Sequence, residues 1–242
     1  AKSVQQFLRW CYEQSYFTKD YSSILKGIAT KTRKSNENID RFTLDELEKL
    51  FNISEYNTYE FRKRAYRYWI PLIGLYTGAR LNEICQLLVN DIKCEKGVWY
   101  FDFTDDGLEI NKDGSKTKNF KNKSSRRTVP IHKTLIKLNF LKYHEQCVLK
   151  SQNLLFDDLT PNKDGKYLRK VSEYFNTTYK NQGLIRYSGI EKERKNGSKL
   201  NFHSFRNTLR DEFKQNLVDN AVVNEIMGHE HTDTGNKVYS HG

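Results

Sequence analysis

The stretch FHSFRNTLRDEF at residues 202–213 combines the apolar spacing of a helix with two basic side chains at its start. Phe205 and Leu209 are four residues apart and mark one buried face. His203 and Arg206 are three residues apart, so we expect them on a common side near the helix start. The positive end of a helix, flanked by these two groups, suits a phosphate or another oxyanion. Taken in isolation, the stretch is better explained by a capping histidine and a surface arginine.

Two more features follow this helix before the sequence ends. A short helix is predicted at 219–227, and Gly228 can close it in a left-handed conformation that presents His229. Tyr239 comes three residues before the last residue and is one of fifteen tyrosines. Each would ordinarily be explained as a capping or a packing group. Their meaning depends on what stands upstream.

The upstream segment YTGARLNEICQL, residues 76–87, places an arginine in an apolar neighbourhood. Gly78 can end one helix, and Arg80 then lies at the start of the next. An arginine cannot lose its proton, so a partly buried one needs a partner. That partner is Glu83 or Glu46 in a structural ion pair, or a phosphate that arrives from outside. This segment alone does not choose between them.

Between two predicted strands lies a basic segment, NKDGSKTKNFKNKSSRR at 111–127. It holds seven Lys and Arg residues and one Asp. It is explained either as a solvated hairpin or as a flexible basic finger that reaches the phosphates of a nucleic acid. The candidate DNA-binding residues are Lys116, Lys118, Lys123, Arg126 and Arg127.

The composition favours a polyanionic partner. Lys and Arg number 41 against 30 Asp and Glu, which gives a net charge of +11 and favours DNA, RNA or an anionic membrane surface. No apolar run approaches the ~18–20 residues that span a bilayer, and no signal peptide opens the chain. The four cysteines form no CxxC pair, so neither a disulfide framework nor a zinc cluster is indicated. A reducing, intracellular setting fits this pattern.

The periodicity predicts a mainly α fold with one small antiparallel β-sheet, in the α+β class. Helices are predicted at 58–77, 133–149, 167–180, 204–217 and 219–227, and strands at 97–103 and 126–131. A domain is expected over 41–242, opened by a capping box at Thr43 and Glu46. Residues 1–40 read as a helix and a polar linker, too short to fold alone. The chain begins at Ala1, without an initiator methionine, and is expected to be a piece of a longer protein.

Taken in order, these features resemble the tyrosine recombinase (phage integrase) family. The resemblance covers roughly residues 41–242 and includes the TGARLNEICQL setting of Arg80 and the SRRTVPIH strand after the hairpin. It implies the tyrosine recombinase catalytic-domain fold. Residues 1–40 would then be the C-terminal remnant of a helical core-binding domain plus its linker. The segment 184–200 departs from the family pattern as a long, charged insertion.

The resemblance also implies a catalytic set. Its members are Arg80, Lys121, His203, Arg206, His229 and Tyr239. Tyr239 would be the nucleophile, and neither a cofactor nor a metal would be needed. A hairpin lysine would act as the proton donor, and the spacing points to Lys121 without excluding Lys123.

The function that follows is a site-specific DNA recombinase or integrase, working through a covalent 3′-phosphotyrosyl intermediate. It would integrate or excise a mobile element or prophage; a dimer resolvase and a type IB topoisomerase would share the site. The expected partners are double-stranded DNA, other copies of the chain in a tetramer on DNA, and accessory DNA-bending proteins, with no membrane. The expected location is the cytoplasm, associated with the nucleoid. Two alternatives are a DNA-binding module of the same fold without cleavage, and an RNA-binding protein, which no recognised RNA motif supports.

Overall fold

The computed structural model describes residues 2–16, 18–20, 39–52, 56, 64–104, 126–163, 165–176 and 183–229. The chain divides into two compact units, Ala1–Glu37 and Asn38–Gly242. The first unit contains helix α1, Lys2–Glu13. Within it Arg9 donates to Glu13 one turn later, at 3.0 Å.

The second unit holds the other helices and a three-stranded sheet. Its elements are, in chain order, α2 Leu44–Phe51, α3 Ala65–Thr77, α4 Leu81–Cys85, β1 Ile92–Glu95, β2 Val98–Phe103, β3 Arg127–Pro130, α5 Lys133–Lys137, α6 Phe140–Leu149, α7 Arg169–Asn176, α8 Leu184–Tyr187, α9 His203–Gln215 and α10 Asn220–Met227. One turn of 3-10 helix, Val89–Asp91, precedes β1. The mainly helical α+β class predicted from the sequence is confirmed.

Helix α2 begins with the predicted capping box. The backbone N–H of Glu46 donates to the Thr43 hydroxyl at 3.3 Å, and the N–H of Thr43 donates to the Glu46 carboxylate at 2.9 Å. These reciprocal bonds satisfy two backbone donors at the helix start. The start of α2 is therefore a local property of four residues.

Helix α3 runs through the middle of the unit and ends at Gly78, as predicted. Gly78 adopts φ +60° and its N–H donates to the carbonyl of Gly74 at 3.0 Å. Pro71 lies inside the helix and does not end it. A Cβ on Gly74 would come within 2.6 Å of the ring of Phe202, so a glycine there lets the residue before α9 pack directly on α3. This close approach brings the end of α3 next to the start of α9.

The sheet is antiparallel with strand order β1-β2-β3. Phe101 pairs with Ile92 on one side and with Val129 on the other, and these three residues are buried. The sequence predicted β2 and β3 but not β1. The reason is that β1 is only four residues long and has one buried position, so its pattern contains no alternation to detect.

The helix predicted at 133–149 is two helices, α5 and α6. Asn139 separates them with φ +67°, a left-handed conformation that asparagine tolerates better than most residues. Helices α7, α9 and α10 correspond to the other predicted helices, although 177–182 fall outside the described residues. The predicted boundary between the last two helices is confirmed, with Leu217 at φ +55° in the connection.

Buried aromatic side chains pack against the apolar face of α9. The Phe205 ring lies 5.0 Å from Phe42 and 5.4 Å from both Phe175 and Phe202, measured between centroids. All four rings are buried, and such tilted and edge-on pairs add to the free energy gained from burial. The first turn of α9 is therefore fixed by its apolar face, which leaves its polar residues to the other side.

The four cysteines lie in different surroundings. Cys85 is buried, as expected for a small packing residue, and burial raises the pKa of its thiol. Cys11 and Cys147 are also buried, and Cys94 is exposed. Within the described ranges no helix is long and apolar enough to cross a bilayer.

Candidate active site

The turn between α3 and α4 places Arg80 at the start of a helix. Arg80 has extended backbone angles, and its N–H donates to the Glu83 carboxylate at 3.0 Å. Its guanidinium donates to the other oxygen of Glu83 at 2.7 Å. The carboxylate that holds Arg80 is therefore Glu83 and not Glu46, which binds Arg194 instead.

Glu83 is shared between two arginines. Its side chain is 4% exposed, and the Arg127 guanidinium donates to it at 3.1 Å, to the oxygen that also accepts the Arg80 N–H. Burial raises the pKa of Glu83, but the charge of Arg127 and the hydrogen bonds from Arg80 outweigh it, so the pKa lies below its ordinary value. Glu83 is ionised at neutral pH and orients both guanidiniums.

Arg127, which the sequence analysis placed among the DNA-binding residues, is buried in the structure and pairs with Glu83. Only 3% of its side chain is exposed. Besides Glu83, its guanidinium donates to the carbonyl of Ile226 at 2.6 Å and lies 4.8 Å above the centre of the Phe103 ring. Strand β3 turns this side chain inward because it alternates with Thr128, which is exposed. Arg126, immediately before the strand, is exposed.

Arg206 is also buried, but its partners are neutral. Its guanidinium donates to the carbonyl of Gly78 at 2.6 Å and to the carbonyl of Met227. Those carbonyls end α3 and α10, where the last C=O groups of a helix lack partners within the helix and carry the negative end of its dipole. Burial, together with the charges of Arg80 and Arg127, lowers the pKa of Arg206 to about 9. The side chain ties two helix ends together without having its charge neutralised.

His229 follows the left-handed cap of α10, as predicted. Gly228 has φ +62°, and the N–H of His229 donates to the carbonyl of Asn224 at 2.9 Å. Burial, together with the nearby charges of Arg206 and Arg210, lowers the pKa of the imidazole to about 4. At neutral pH the ring is uncharged, so one nitrogen can donate a hydrogen bond and the other can accept one.

His203 is the first residue of α9, and its N–H donates to the Asn201 side chain at 2.7 Å. Its side chain is exposed, whereas Arg206, three residues later, is buried. The two side chains therefore start from one helix turn, as expected, but have different surroundings.

These residues form a cluster with excess positive charge, called here the arginine site. Its members are Arg80, Glu83, Arg127, Arg206, Arg210 and His229. Among the described residues it contains four guanidiniums and one carboxylate, an excess of three positive charges with the imidazole neutral. Such a site attracts an oxyanion, which the guanidiniums can bind through paired N–H donors.

The sequence analysis missed Arg210 and left the role of Glu83 open. Arg210 lies one helical turn after Arg206, and its charge reaches His229. The four-residue spacing was therefore an available signal. Tyr239 and the lysines Lys116, Lys118, Lys121 and Lys123 lie outside the described residues. Within the described ranges, no three His, Cys, Asp or Glu residues are grouped to hold a metal ion.

The fold and site together define a mainly helical domain that presents an arginine-rich anion site at the junction of three helices. Residues 40–242 match the model of the phage integrase family, and the chain belongs to that family. The family prediction is thereby confirmed. No curated protein matches the chain in sequence.

Solved structures share the fold at low identity. A lambda integrase tetramer bound to a Holliday junction is similar with a TM-score of 0.54 and 18% identity, over 98% of this chain and 56% of that one. The XerA recombinase is similar with a TM-score of 0.50 and 16% identity, over 99% of this chain and 77% of that one. XerH bound to its difH substrate has a TM-score of 0.49 and 21% identity, over 81% and 48%. This chain spans about half the length of the lambda integrase and XerH chains, and its fold is that of a tyrosine recombinase catalytic domain.

Proposed function

We propose that this chain is the catalytic part of a site-specific DNA recombinase that cuts and rejoins strands through a 3′-phosphotyrosyl intermediate. The observation that carries the proposal is the excess of guanidiniums at the arginine site. Within the described part of the chain Arg206 is held by two carbonyls, and Glu83 is shared by two arginines, so positive charge remains for a phosphodiester. Family membership provides the context in which that charge has a use.

The guanidiniums act on the phosphate. When a nucleophile attacks a phosphodiester, negative charge grows on the non-bridging oxygens. Arg80 and Arg206 stabilise that charge with donors that are already oriented, so little reorganisation is needed during the reaction. His229, neutral at pH 7, adds a hydrogen bond to the same phosphate.

Tyr239 forms the covalent bond. Its oxygen attacks phosphorus, a new P–O bond forms, and the bond to the 5′ oxygen breaks. The phenol has an ordinary pKa near 10, so His203 takes its proton during attack. Lys121 gives a proton to the leaving 5′ oxygen. Rejoining runs the same steps in reverse, with a 5′ hydroxyl as nucleophile, so the bond energy is retained and no nucleotide cofactor is consumed.

The partner is double-stranded DNA. Lys116, Lys118, Lys123 and the exposed Arg126 contact its phosphates, and the net charge of +11 adds to the attraction. A tetramer is proposed by analogy with lambda integrase, whose structures include a tetramer on a Holliday junction. Accessory DNA-bending proteins belong to the same proposal.

The domain organisation and the setting are proposed on the same basis. Residues 1–40 are the end of a core-binding domain and its linker, and 41–242 are the catalytic domain. The reaction integrates or excises a mobile element or prophage, in the cytoplasm and at the nucleoid.

The test is a duplex with a nick beside the scissile phosphate, which traps the covalent complex because the short leaving strand diffuses away. Wild-type protein should form a denaturant-resistant adduct, and Tyr239→Phe should form none while it still binds DNA. An adduct with the Phe variant would assign the nucleophile to another residue. Binding without any adduct in the wild type would favour the DNA-binding module.

A second substrate distinguishes the two candidate lysines. A 5′-bridging sulfur leaves without protonation, so it should restore cleavage to Lys121→Ala but not to Arg80→Ala. Restoration of Lys123→Ala alone would move the proton donor two residues along the segment. EDTA should leave wild-type cleavage unchanged, and a requirement for added magnesium would contradict the mechanism.

A further inference from the structure

The charged insertion at 184–200 is anchored to the start of the second unit through Arg194. The Arg194 guanidinium donates to both oxygens of Glu46, at 2.5 and 2.8 Å, and to Asp40 at 3.1 Å. It also donates to the carbonyl of Arg41 at 3.1 Å. One planar fork thus meets two carboxylates and a backbone carbonyl, a pattern that lysine cannot reproduce.

A second set of bonds attaches the end of the same insertion. The Ser198 hydroxyl donates to Asp40 at 3.1 Å, and the N–H of Asp40 donates to the carbonyl of Lys199 at 3.0 Å. Lys199 also forms a parallel bridge with Ile39. We call Arg194, Asp40, Glu46 and Ser198, with the Arg41 carbonyl, the Arg194 clamp.

The clamp lies directly before α9. Leu200 is fully buried, and the Asn201 side chain then accepts the N–H of His203 at 2.7 Å. The N–H of Asn201 donates to the Ser204 hydroxyl at 3.1 Å. Asn201, whose side chain accepts the first N–H of α9, is therefore two positions after Lys199, whose carbonyl accepts the N–H of Asp40.

Residues 39–42 also bind α9 itself. The Asn207 side chain donates to the carbonyl of Ile39 at 2.8 Å, and the N–H of Phe42 donates to the Thr208 hydroxyl at 2.9 Å. Arg41 forms an ion pair with Asp211. The segment held by Arg194 thus touches α9 along two turns beyond His203.

The clamp is charged at neutral pH. Burial raises the pKa of Glu46, but its bonds with Arg194 and Thr43 outweigh that, and the pKa lies below its ordinary value. The pKa of Asp40 is also lowered, since hydrogen bonds and the Arg194 charge outweigh burial. The hydrogen bonds that Arg194 donates to Glu46 are the main reason that the pKa of Arg194 is raised.

We propose that Arg194 is a positioning residue for the reaction: by joining the insertion to Asp40 and Glu46, it sets the start of α9 and so the places of His203 and Arg206. The role rests on the proposed function, because its effect on rate requires that these two side chains act on DNA. It makes the insertion part of the catalytic framework rather than a surface loop. Displacements of about 1 Å in a reacting group can cost about 10²-fold in rate, so the effect is measurable.

The test compares Arg194→Gln with Lys199→Gln. Both remove one positive charge from the same loop, but among the described residues the Lys199 side chain forms its ion pair with exposed Glu193, at 2.8 Å. The nicked duplex is used at saturating concentration, and DNA affinity is measured separately. We expect Arg194→Gln to cleave about 10- to 100-fold more slowly. Its affinity should change no more than that of Lys199→Gln, since each loses one charge.

Two further variants keep the test decisive. Arg194→Lys retains the charge without the fork and should recover cleavage only in part. Ser198→Ala removes a single bond to Asp40 and should show a smaller loss in the same direction, even if Arg194→Gln does not fold. Equal rates at saturating DNA for Ser198→Ala, Arg194→Gln and wild type would overturn the proposal, because a purely structural residue would lower only thermal stability.

Hydrogen exchange separates this inference from the proposed function. The amides of His203, Ser204 and Phe205 should exchange faster in Arg194→Gln than in Lys199→Gln or wild type. If wild-type protein forms no adduct but this difference is present, the proposed function fails and the positioning stands. Unchanged exchange would reject the positioning whatever the DNA assays give.

Discussion

Among the described residues, the arginine site has four guanidiniums and one carboxylate, which bonds to two of them, whereas in the Arg194 clamp one guanidinium bonds to two carboxylates. The consequence appears in the arginines themselves. The pKa of Arg206 is lowered to about 9 by burial and by neighbouring arginines, while hydrogen bonding to Glu46 raises the pKa of Arg194. An arginine in the arginine site thus keeps its positive charge in excess, whereas the arginine of the Arg194 clamp has its charge neutralised.

This difference distinguishes an arginine that can bind an anion from one that only joins two segments of the chain. A buried arginine that bonds only to carbonyls keeps its orientation without losing its charge, and so remains able to bind an anion. Arg206 does this at the ends of α3 and α10. An arginine surrounded by carboxylates has no charge to offer, and its value lies in the segments that it joins. Counting carboxylates around each arginine therefore distinguishes the two roles better than burial alone.

The largest effect is expected from removing the carboxylate of the arginine site. Glu83→Gln leaves Arg80 and Arg127 without their shared anion, and breaking a buried pair costs about 3–5 kcal/mol of unfolding free energy. Glu46→Gln in the clamp should cost about 1 kcal/mol, because Arg194 is 25% exposed and Asp40 still binds it. Urea denaturation of both variants measures the difference. Equal costs would remove the electrostatic contrast between the two regions.

Arg206→Ala should slow adduct formation by about 10²–10³-fold, as when one donor to a developing oxyanion is lost. This loss should exceed that of Arg194→Gln, since in the proposed mechanism Arg206 contacts the phosphate, whereas Arg194 only positions the helix that carries Arg206. A methylphosphonate at the scissile position lacks one charged oxygen. With this substrate the rates of adduct formation by Arg206→Ala and wild type should differ less. The difference in rate between Arg194→Gln and wild type should narrow less, because that variant also displaces His203. Circular dichroism establishes that each variant is folded before rates are compared.

Replacing one glycine near the arginine site and one near the Arg194 clamp should give a smaller difference in stability. Gly78 and Gly197 both have positive φ, +60° and +80°, so an alanine strains the backbone at each by about 1–2 kcal/mol. A Cβ at Gly78 would also lie 3.2 Å from Leu209 and 3.3 Å from Met227, while at Gly197 it would meet nothing within 4 Å. We expect Gly78→Ala to be less stable than Gly197→Ala by about 1–3 kcal/mol. Similar melting temperatures would mean that the arginine site is packed less tightly than the contacts indicate.

The smallest expected change is in the pKa of His229. The pKa of His229, about 4 in the free protein, should rise when a duplex oligonucleotide binds, because phosphate offsets the arginine charges. Arg210→Gln should raise it without DNA, and Lys199→Gln should not. Since the folded pKa lies below the ordinary 6.5, the unfolded chain binds more protons between pH 6.5 and about 4, and stability falls as pH falls through that window. NMR titration of the imidazole, assigned with His229→Gln, measures both effects; a free-protein pKa near 6.5 would contradict the surplus charge.

The sequence by itself determined what depends on neighbours along the chain. The capping box at Thr43, the glycine ends of α3 and α10, and the three-residue spacing of His203 and Arg206 are signals confined to about one helical turn. The ordered motifs also identified the family. All of these follow from backbone geometry that a few adjacent residues dictate.

Only the tertiary structure decided which charges are neutralised. Arg127 was predicted to contact DNA, yet it pairs with Glu83, 44 positions away in the chain, and is buried. Arg194 lay in a segment read as an insertion, yet it binds Glu46 across 148 positions. In the sequence, each Lys or Arg counts as one positive charge, whatever its surroundings in the fold. Whether such a charge faces solvent, a carboxylate or a carbonyl is decided by contacts between distant segments, and those contacts form only when the core brings α3, α9 and α10 together.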